Sequence, residues 1–357
     1  MLRFWRLVSA AILAALSMQG AGMPQFIVGW SVYVGYTPLY YMAKHGLLKK
    51  WGDKYGVSIR IQRFDYAASI DAFVSKNIDA CIMTNMEALD MPAAAGVDTT
   101  AFIFGDYSNG NDAVMTRNGL KLKDLPGKSV LLVEKTISQY LFERAMVLNG
   151  LGPQIKRVRL VNTSDSDIAA AFLSDASQTA VVTWKPMVSQ IRKAPGITTV
   201  FDSSQLPGEI MDFVAVRTEV LKRTDGSGER FAKALAGAWY ETMSLMFNNG
   251  PEVDHVIAGV AEGSQDTVDS YKEQMATTKF LPTPQMAPQI VEASDLKVKM
   301  GLVRQFCHEH GLIGSGHGDS GGEVAIRYPD GSVQGNPTRV RLRFDTSYTR
   351  LAAQGKL

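Results

Sequence analysis

The chain has 357 residues, 46% of them hydrophobic and 20% charged. That length suits roughly two domains, and the apolar content excludes disordered and low-complexity classes. The formal net charge of +2 falls to about 0 without Arg3 and Arg6 near the N-terminus, so nothing in the charge balance steers the protein to nucleic acid.

In chain order, "MLRFWRLVSAAILAALSMQGAG" sets two arginines ahead of an apolar run, Leu7–Leu16, and then small residues. This layout predicts a secretory signal peptide over residues 1–22, because the apolar run is shorter than the roughly 20 residues that span a bilayer. The leader carries no cysteine for a lipid, so the mature protein is expected free in a bacterial periplasm. From Phe26 to about Leu206, strand-like runs ("FIVGW", "VSIRIQRF", "ACIM", "TAFIFG", "AVMTR", "SVLLVE", "VRLVN", "TAVVTW", "ITTVF") alternate with helical patterns over 38–45, 69–76, 86–95, 138–148 and 166–173. This order predicts an α/β fold with mostly parallel sheets flanked by helices. Thr37 reads as the cap of a helix that opens at Pro38 and stops at Gly46. Beyond Val216 the pattern is almost entirely helical, and "GSGHGDSGG" then reads as a flexible link. The last stretch alternates around Pro329-Asp330-Gly331, which predicts an exposed β-hairpin appended to the main body.

Motifs for chemistry are missing. There is no phosphate-binding Gly-rich loop, no Gly-x-Ser-x-Gly elbow and no histidine beside a nucleophile, so neither an enzyme nor a cofactor is called for. Cys307, His308 and His310, with His317 nearby, hint at a metal. Adjacent positions on a helix point apart, however, so no metal site is expected. Cys81 and Cys307 are the only cysteines and form no disulfide framework, though their pairing stays open.

Four stretches carry a family likeness: "YTPLYYMAKHGLLKKWG", "FDYAASIDAFVSKNIDACIMTNMEAL", "LKLKDLPGKSVLLVE" and "AAAFLSDASQTAVVTWKP". Their order resembles the periplasmic solute-binding proteins of ABC importers, in the nitrate-, sulfonate- and taurine-type group. Within it, "VGWSVYVGYTPLYYM" and "TNMEALDMPAAAGVDTTAFIFGDYSNGNDAV" resemble the subfamily that accompanies urea-carboxylase-like, guanidine-degrading enzymes. Lys185 departs from the group, which commonly has Glu in a Trp-Glu-Pro there, so that position's role is not carried over. The resemblance implies a two-lobed periplasmic binding protein fold of type II. Lobe 1 would comprise 23–111 and 213–314, lobe 2 would comprise 112–212, and 315–357 would be a C-terminal extension. Crossovers are expected near Gly110–Met115 and Pro207–Val214. It also implies a monomer that closes on a small-molecule solute and presents it to an ABC permease in the inner membrane.

Ligands of open α/β sheets settle at the carboxyl ends of strands. Reading those positions gives Trp30, Tyr33 and Tyr36, then Asp65, then Asn85 and Glu87, then Asp106, Trp184, and Glu209 and Asp212 at the return crossover. Tyr40 and Tyr41 read as packing on the next helix. The bland alternatives stay open: a strand-end tryptophan also covers a core, and an acid that opens a helix is also a cap. Carboxylates and rings dominate, and Lys135 and Lys185 are the exceptions. An anion would want basic groups or bare helix N-termini, whereas a cationic nitrogen compound wants carboxylates and ring faces. The set therefore points to a guanidine- or urea-like solute, and Asp65→Asn and Trp30→Ala are each expected to weaken its binding at least about tenfold without unfolding the protein. Two rival readings remain: an enzyme on the same scaffold acting on a pyrimidine-type precursor, and a ligand sensor for a membrane receptor.

Overall fold

The structure is a computed structural model that describes residues 22–314 and 324–357. The expected leader up to residue 21, and the part of the glycine-rich link that holds His317, lie outside the described residues. Among the described residues there are fourteen strands: β1 (Gln25–Trp30), β2 (Ser58–Arg63), β3 (Ala80–Thr84), β4 (Thr99–Ser108), β5 (Ala113–Arg117), β6 (Ser129–Leu132), β7 (Arg159–Asn162), β8 (Ala180–Thr183), β9 (Ile197–Asp202), β10 (Met211–Arg217), β11 (Thr278–Phe280), β12 (Ala325–Arg327), β13 (Val333–Gln334) and β14 (Val340–Phe344). They divide into two sheets.

The larger sheet has the order β13-β12-β14-β4-β10-β3-β1-β2, with β11 also on β4, and the smaller one the order β7-β6-β8-β5-β9. Parallel pairs β1–β2 and β1–β3, and β6–β7 and β6–β8, form one half of each sheet. The strands next to the crossovers run antiparallel: β10 against β3 and β4, and β5 against β8 and β9. This mixture follows from the chain's path, since β4 leaves the larger sheet and β10 returns to it in the opposite sense. Central strands β3, β8 and β10 are buried along their whole length, as continuous apolar runs covered on both faces should be. Edge strand β2 has no fully buried residue.

Two short segments, 109–112 and 203–210, join the sheets. They run side by side: Ser203 N donates to Asp112 O at 2.9 Å and Ser108 N to Ile210 O at 3.0 Å, while the Ser108 and Ser203 hydroxyls meet at 2.7 Å. Asp212 pairs with Thr84 and Asp106 inside the larger sheet, so the expected boundary that assigns it to the smaller lobe is corrected.

Two further expectations need correction. Thr37 does not cap its helix; its hydroxyl bonds instead to Val34 O at 3.1 Å and to the Tyr271 hydroxyl at 2.9 Å. Gly46 does end the first turn segment, with φ 75, a conformation that side chains with a Cβ resist. The tail is no exposed appendage. β12 and β13 pair around Pro329–Gly331, but β14 pairs in parallel with both β12 and β4 and draws the hairpin into the larger sheet. The cause is apolar: Val340, Leu342 and Phe344 alternate inward, and the Phe344 ring lies 5.7 Å from Phe213 and 6.2 Å from Phe104. Burying a side chain of that size stabilises by about 1.5–3 kcal/mol.

Candidate functional site

The chain leaves β1 through a tight turn in which Tyr36 N and Thr37 N both donate to Tyr33 O, at 2.9 and 3.2 Å. The turn brings the Tyr33 and Tyr36 rings edge to face, 4.9 Å apart. Each hydroxyl reaches a different acid: Tyr33 OH donates to Asp106 Oδ1 at 3.3 Å, and Tyr36 OH to Asp212 Oδ1 at 2.5 Å. Gly35, between them, lies against the Asp106 carboxyl, where an added Cβ would collide with Oδ2. A side chain there would push the turn off the acid.

Asp106 and Asp212 face each other as register partners on β4 and β10, and both are buried, at 0% and 2% exposure. No N–H or hydroxyl reaches Asp106 Oδ2; its acidic neighbour is the Asp212 carboxyl. Burial raises the pKa of Asp106 to about 8, with hydrogen bonds from Tyr33 and Asp212 acting against that rise. Asp212 is raised well above the carboxylate range, first by burial and then by the charge of Asp106. Two like charges this close do not both ionise, so the pair holds a proton between its two carboxyls. Asp112, on the outgoing crossover, accepts from the Ser108 hydroxyl and is raised to about 7, again chiefly by burial.

Glu87 is fully buried and accepts from both lobes. Its Oε2 takes the Tyr66 hydroxyl at 2.9 Å and the Thr84 hydroxyl, while its Oε1 takes the backbone N–H of Ile137 at 2.7 Å. Ile137 begins the helix Ile137–Leu148 that flanks the smaller sheet. A glutamate of the larger lobe therefore occupies the helix N-terminus that an anionic guest would want. Burial raises the Glu87 pKa, and the bonds from Thr84, Ile137 and Tyr66 oppose the shift.

These groups surround a cavity of about 20 Å³ lined by Ser31, Tyr33, Tyr36, Tyr66, Thr84 and Asp212 from the larger sheet's side, by Ile137 and Trp184 from the smaller, and by Asp112 and Ile210 from the crossovers. A space of that order holds a few atoms at most. The Trp184 ring stands edge-on to Tyr66, 5.6 Å away, and its Nε1 reaches Val32 O across the cleft at 3.5 Å. Among the described residues, no Lys, Arg or His lines the cavity. The tyrosine hydroxyls stay protonated: burial and then nearby acid charge raise Tyr33, Tyr36 and Tyr66 well above the usual phenol range.

Of the residues expected from strand ends, Tyr33, Tyr36, Trp184 and Asp212 meet at the cavity, and Asp106 and Glu87 bond directly to its lining. The others stand elsewhere. Trp30 is buried beside Tyr40, ring centres 6.2 Å apart, so it covers the core. Asp65 is exposed ahead of its helix without a capping bond; Asp165 of the smaller lobe takes the Tyr66 N–H at 3.2 Å instead. Asn85 is a strut: its amide donates to Glu209 O at 3.0 Å and its carbonyl accepts from Met211 N at 3.1 Å. Glu209 accepts two bonds from Arg144, at 2.8 and 2.9 Å, and one from Tyr140 at 2.6 Å. Lys185 turns away from the cavity to Thr277 Oγ1, at 2.8 Å, and Glu273 O, and burial lowers its pKa.

Thr84, Asp112, Ile137 and Ile210 were not singled out by strand-end reading. Thr84 is the last residue of β3, and Asp112 follows the "SNGN" turn, so both carried a usable signal. Ile137 and Ile210 had none, since an isoleucine in a loop looks like any other. Among the described residues, no group of three or more His, Cys, Asp or Glu is arranged to hold a metal ion. Cys81 and Cys307 are free and buried. His310 Nε2 instead meets Glu143 at 2.9 Å.

No family model matches the chain, and no curated protein matches it. Solved structures do. It is similar to the alkanesulfonate-binding protein SsuA from Xanthomonas axonopodis pv. citri bound to MOPS, with 16% identity over 82% of this chain and 95% of that one and a TM-score of 0.64. It is similar to the periplasmic aliphatic sulphonate binding protein SsuA from Escherichia coli, with 16% identity over 81% and 88% and a TM-score of 0.61. A Candida albicans gene product described as exhibiting the generic periplasmic binding protein structural fold matches with 16% identity over 83% and 92% and a TM-score of 0.57. At such identities the likeness is one of fold: two α/β lobes joined by paired crossovers make this chain a protein of the periplasmic binding protein fold.

Proposed function

We propose that the protein is the extracytoplasmic solute-binding component of an ABC importer. It captures a small nitrogenous solute, guanidine or urea-like, by lobe closure and hands it to a permease in the inner membrane. The fold and its sulfonate-binding neighbours support a binding role. The leader-like N-terminus supports a periplasmic location, and among the described residues no helix is long and apolar enough to cross a membrane. The protein works as a monomer in this reading, with lobes close to 23–111 plus 213–314 and 112–212, adjusted so that β10 from Met211 and the tail strands β12–β14 belong to the first.

One observation carries the choice of solute: Asp112 and Asp212 line the cavity, Asp106 and Glu87 stand behind it, and no basic side chain lines it. Sulfonate, named for two of the neighbours, would meet four acids and a helix N-terminus already taken by Glu87. A planar N–H donor meets carboxylate acceptors and ring faces instead, and cation–π contact adds about 0.5 to 2 kcal/mol. Calorimetric titration of the purified protein with guanidinium chloride, urea, taurine and nitrate tests this reading. Saturable binding of guanidinium or urea supports it, and binding of taurine or nitrate alone overturns the solute assignment.

A further inference from the structure

We infer that the cleft takes its solute as a cation in exchange for a proton: a compact guanidinium settles against Asp212, and a proton held between Asp212 and Asp106 leaves to solvent. This rests on the reading of the cleft as a nitrogenous solute site and narrows it from cationic or neutral guests to cationic ones.

The geometry comes first. Asp106 and Asp212 are exact register partners on neighbouring strands, sealed from water, and each is tied at one oxygen by a tyrosine hydroxyl, Tyr33 for Asp106 and Tyr36 for Asp212. Asp106 Oδ2 has no conventional donor. Two carboxyls confined this way keep at least one proton between them, because the doubly ionised pair would set two uncompensated charges in a low dielectric.

The groups facing the pair offer no other compensation. The turn after β1 presents Tyr33 and Tyr36; the helix Tyr66–Val74, after β2, presents Tyr66; Glu87 and Asp112 add further acid; and Tyr271 approaches from the helix Val268–Ala276. Lys279, on β11, pairs with Tyr107 and is exposed. Among the described residues, no cation sits where the second carboxylate charge would need it. The raised pKa of Asp106, about 8, agrees with a pair that holds its proton at neutral pH.

The exchange balances. One O–H bond of the pair breaks, its proton goes to solvent, the electron pair stays on the carboxylate, and one cation takes the proton's place, so the cleft's net charge is unchanged. Guanidinium suits this because it keeps its charge throughout the working pH range, like the arginine side chain. Urea brings no charge to replace the proton, so its binding leaves the pair protonated.

The test is a pH-stat titration of the unbuffered full-length protein with guanidinium chloride at about pH 6.5, with urea run in parallel. Guanidinium saturation is expected to release about one equivalent of acid. Its affinity should rise roughly tenfold per pH unit on the acid side and level off near the pair's pKa. Urea should release none. Saturable guanidinium binding without acid release and with pH-independent affinity overturns the exchange and leaves the solute site standing. Tighter binding of urea than of guanidinium, without acid release, does the same. Failure of guanidinium and urea alike to bind at any pH overturns the site reading itself.

Discussion

Two groups of buried acid stand beside the return crossover, and they are treated differently. Glu209 has a resident cation: Arg144 grips it with two bonds and Tyr140 adds a third. Asp106 and Asp212 have only tyrosine hydroxyls and each other. Burying a carboxylate costs several kcal/mol unless a counter-charge or a proton compensates it. Where the chain needs a permanent tie between helix Ile137–Leu148 and the crossover, it supplies the counter-charge itself. Beside the cavity none of the described residues supplies one, and the proposed solute site rests on that difference.

The sharpest way to break this contrast is Asp212→Asn, which keeps the shape and removes the charge. Guanidinium affinity should fall at least thirtyfold, corresponding to about 2 kcal/mol or more, with an unchanged circular dichroism spectrum. Arg144→Ala probes the other corner. It leaves Glu209, whose side chain is 10% exposed, without its cation, and the expected loss of folding stability is about 2–3 kcal/mol. Thermal denaturation should show it, while affinity shifts less than fivefold. An equal loss of binding in both variants would erase the distinction between the two acids.

A third prediction concerns pH. Asp106 and Asp112 have folded-state pKa values raised to about 8 and about 7, above the ordinary range near 4 for an unfolded aspartate. Between those limits the native state binds more protons than the unfolded one, so stability falls as pH rises. The melting temperature of the ligand-free protein should therefore climb as pH is lowered from about 8.5 to about 5.5. A flat or opposite trend would mean the cluster is ionised and compensated after all. Trp184→Leu removes one ring face and should weaken guanidinium binding about threefold to tenfold. Smallest of all, Asp65→Asn should leave affinity within about twofold, against the expectation from sequence, because an exposed acid outside the cleft adds little.

The alternation of strands and helices up to Leu206 was legible because buried parallel strands need continuous apolar runs, and "ACIM" and "TAVVTW" supply them. The cavity was half legible, for strand ends are where such sheets place their loops, and Tyr33, Tyr36 and Asp212 fall there. Asp65 and Trp30 occupy the same kind of position and do not reach it. Whether a strand-end side chain turns to the cleft or to the core depends on a one-residue change of facing, and that is set by packing against residues far along the chain. Trp30 is held beside Tyr40, and Asp65 loses its place to Asp165, one hundred residues on. The tail was misread for a related reason. The alternation of "VRLRF" marks one buried face, but it does not say that the partner is β4.

That last pairing governs the order in which the molecule can assemble. β14 closes on β4 across roughly two thirds of the chain, whereas the smaller sheet is built from one uninterrupted stretch between Ala113 and Asp202. A nascent chain can complete the smaller sheet early. The larger one stays open until its final residues arrive, with Phe104 and Phe213 lacking the Phe344 ring that covers them. Contacts of such sequence separation form late and slowly, so the larger sheet locks only after the C-terminal strand has joined it.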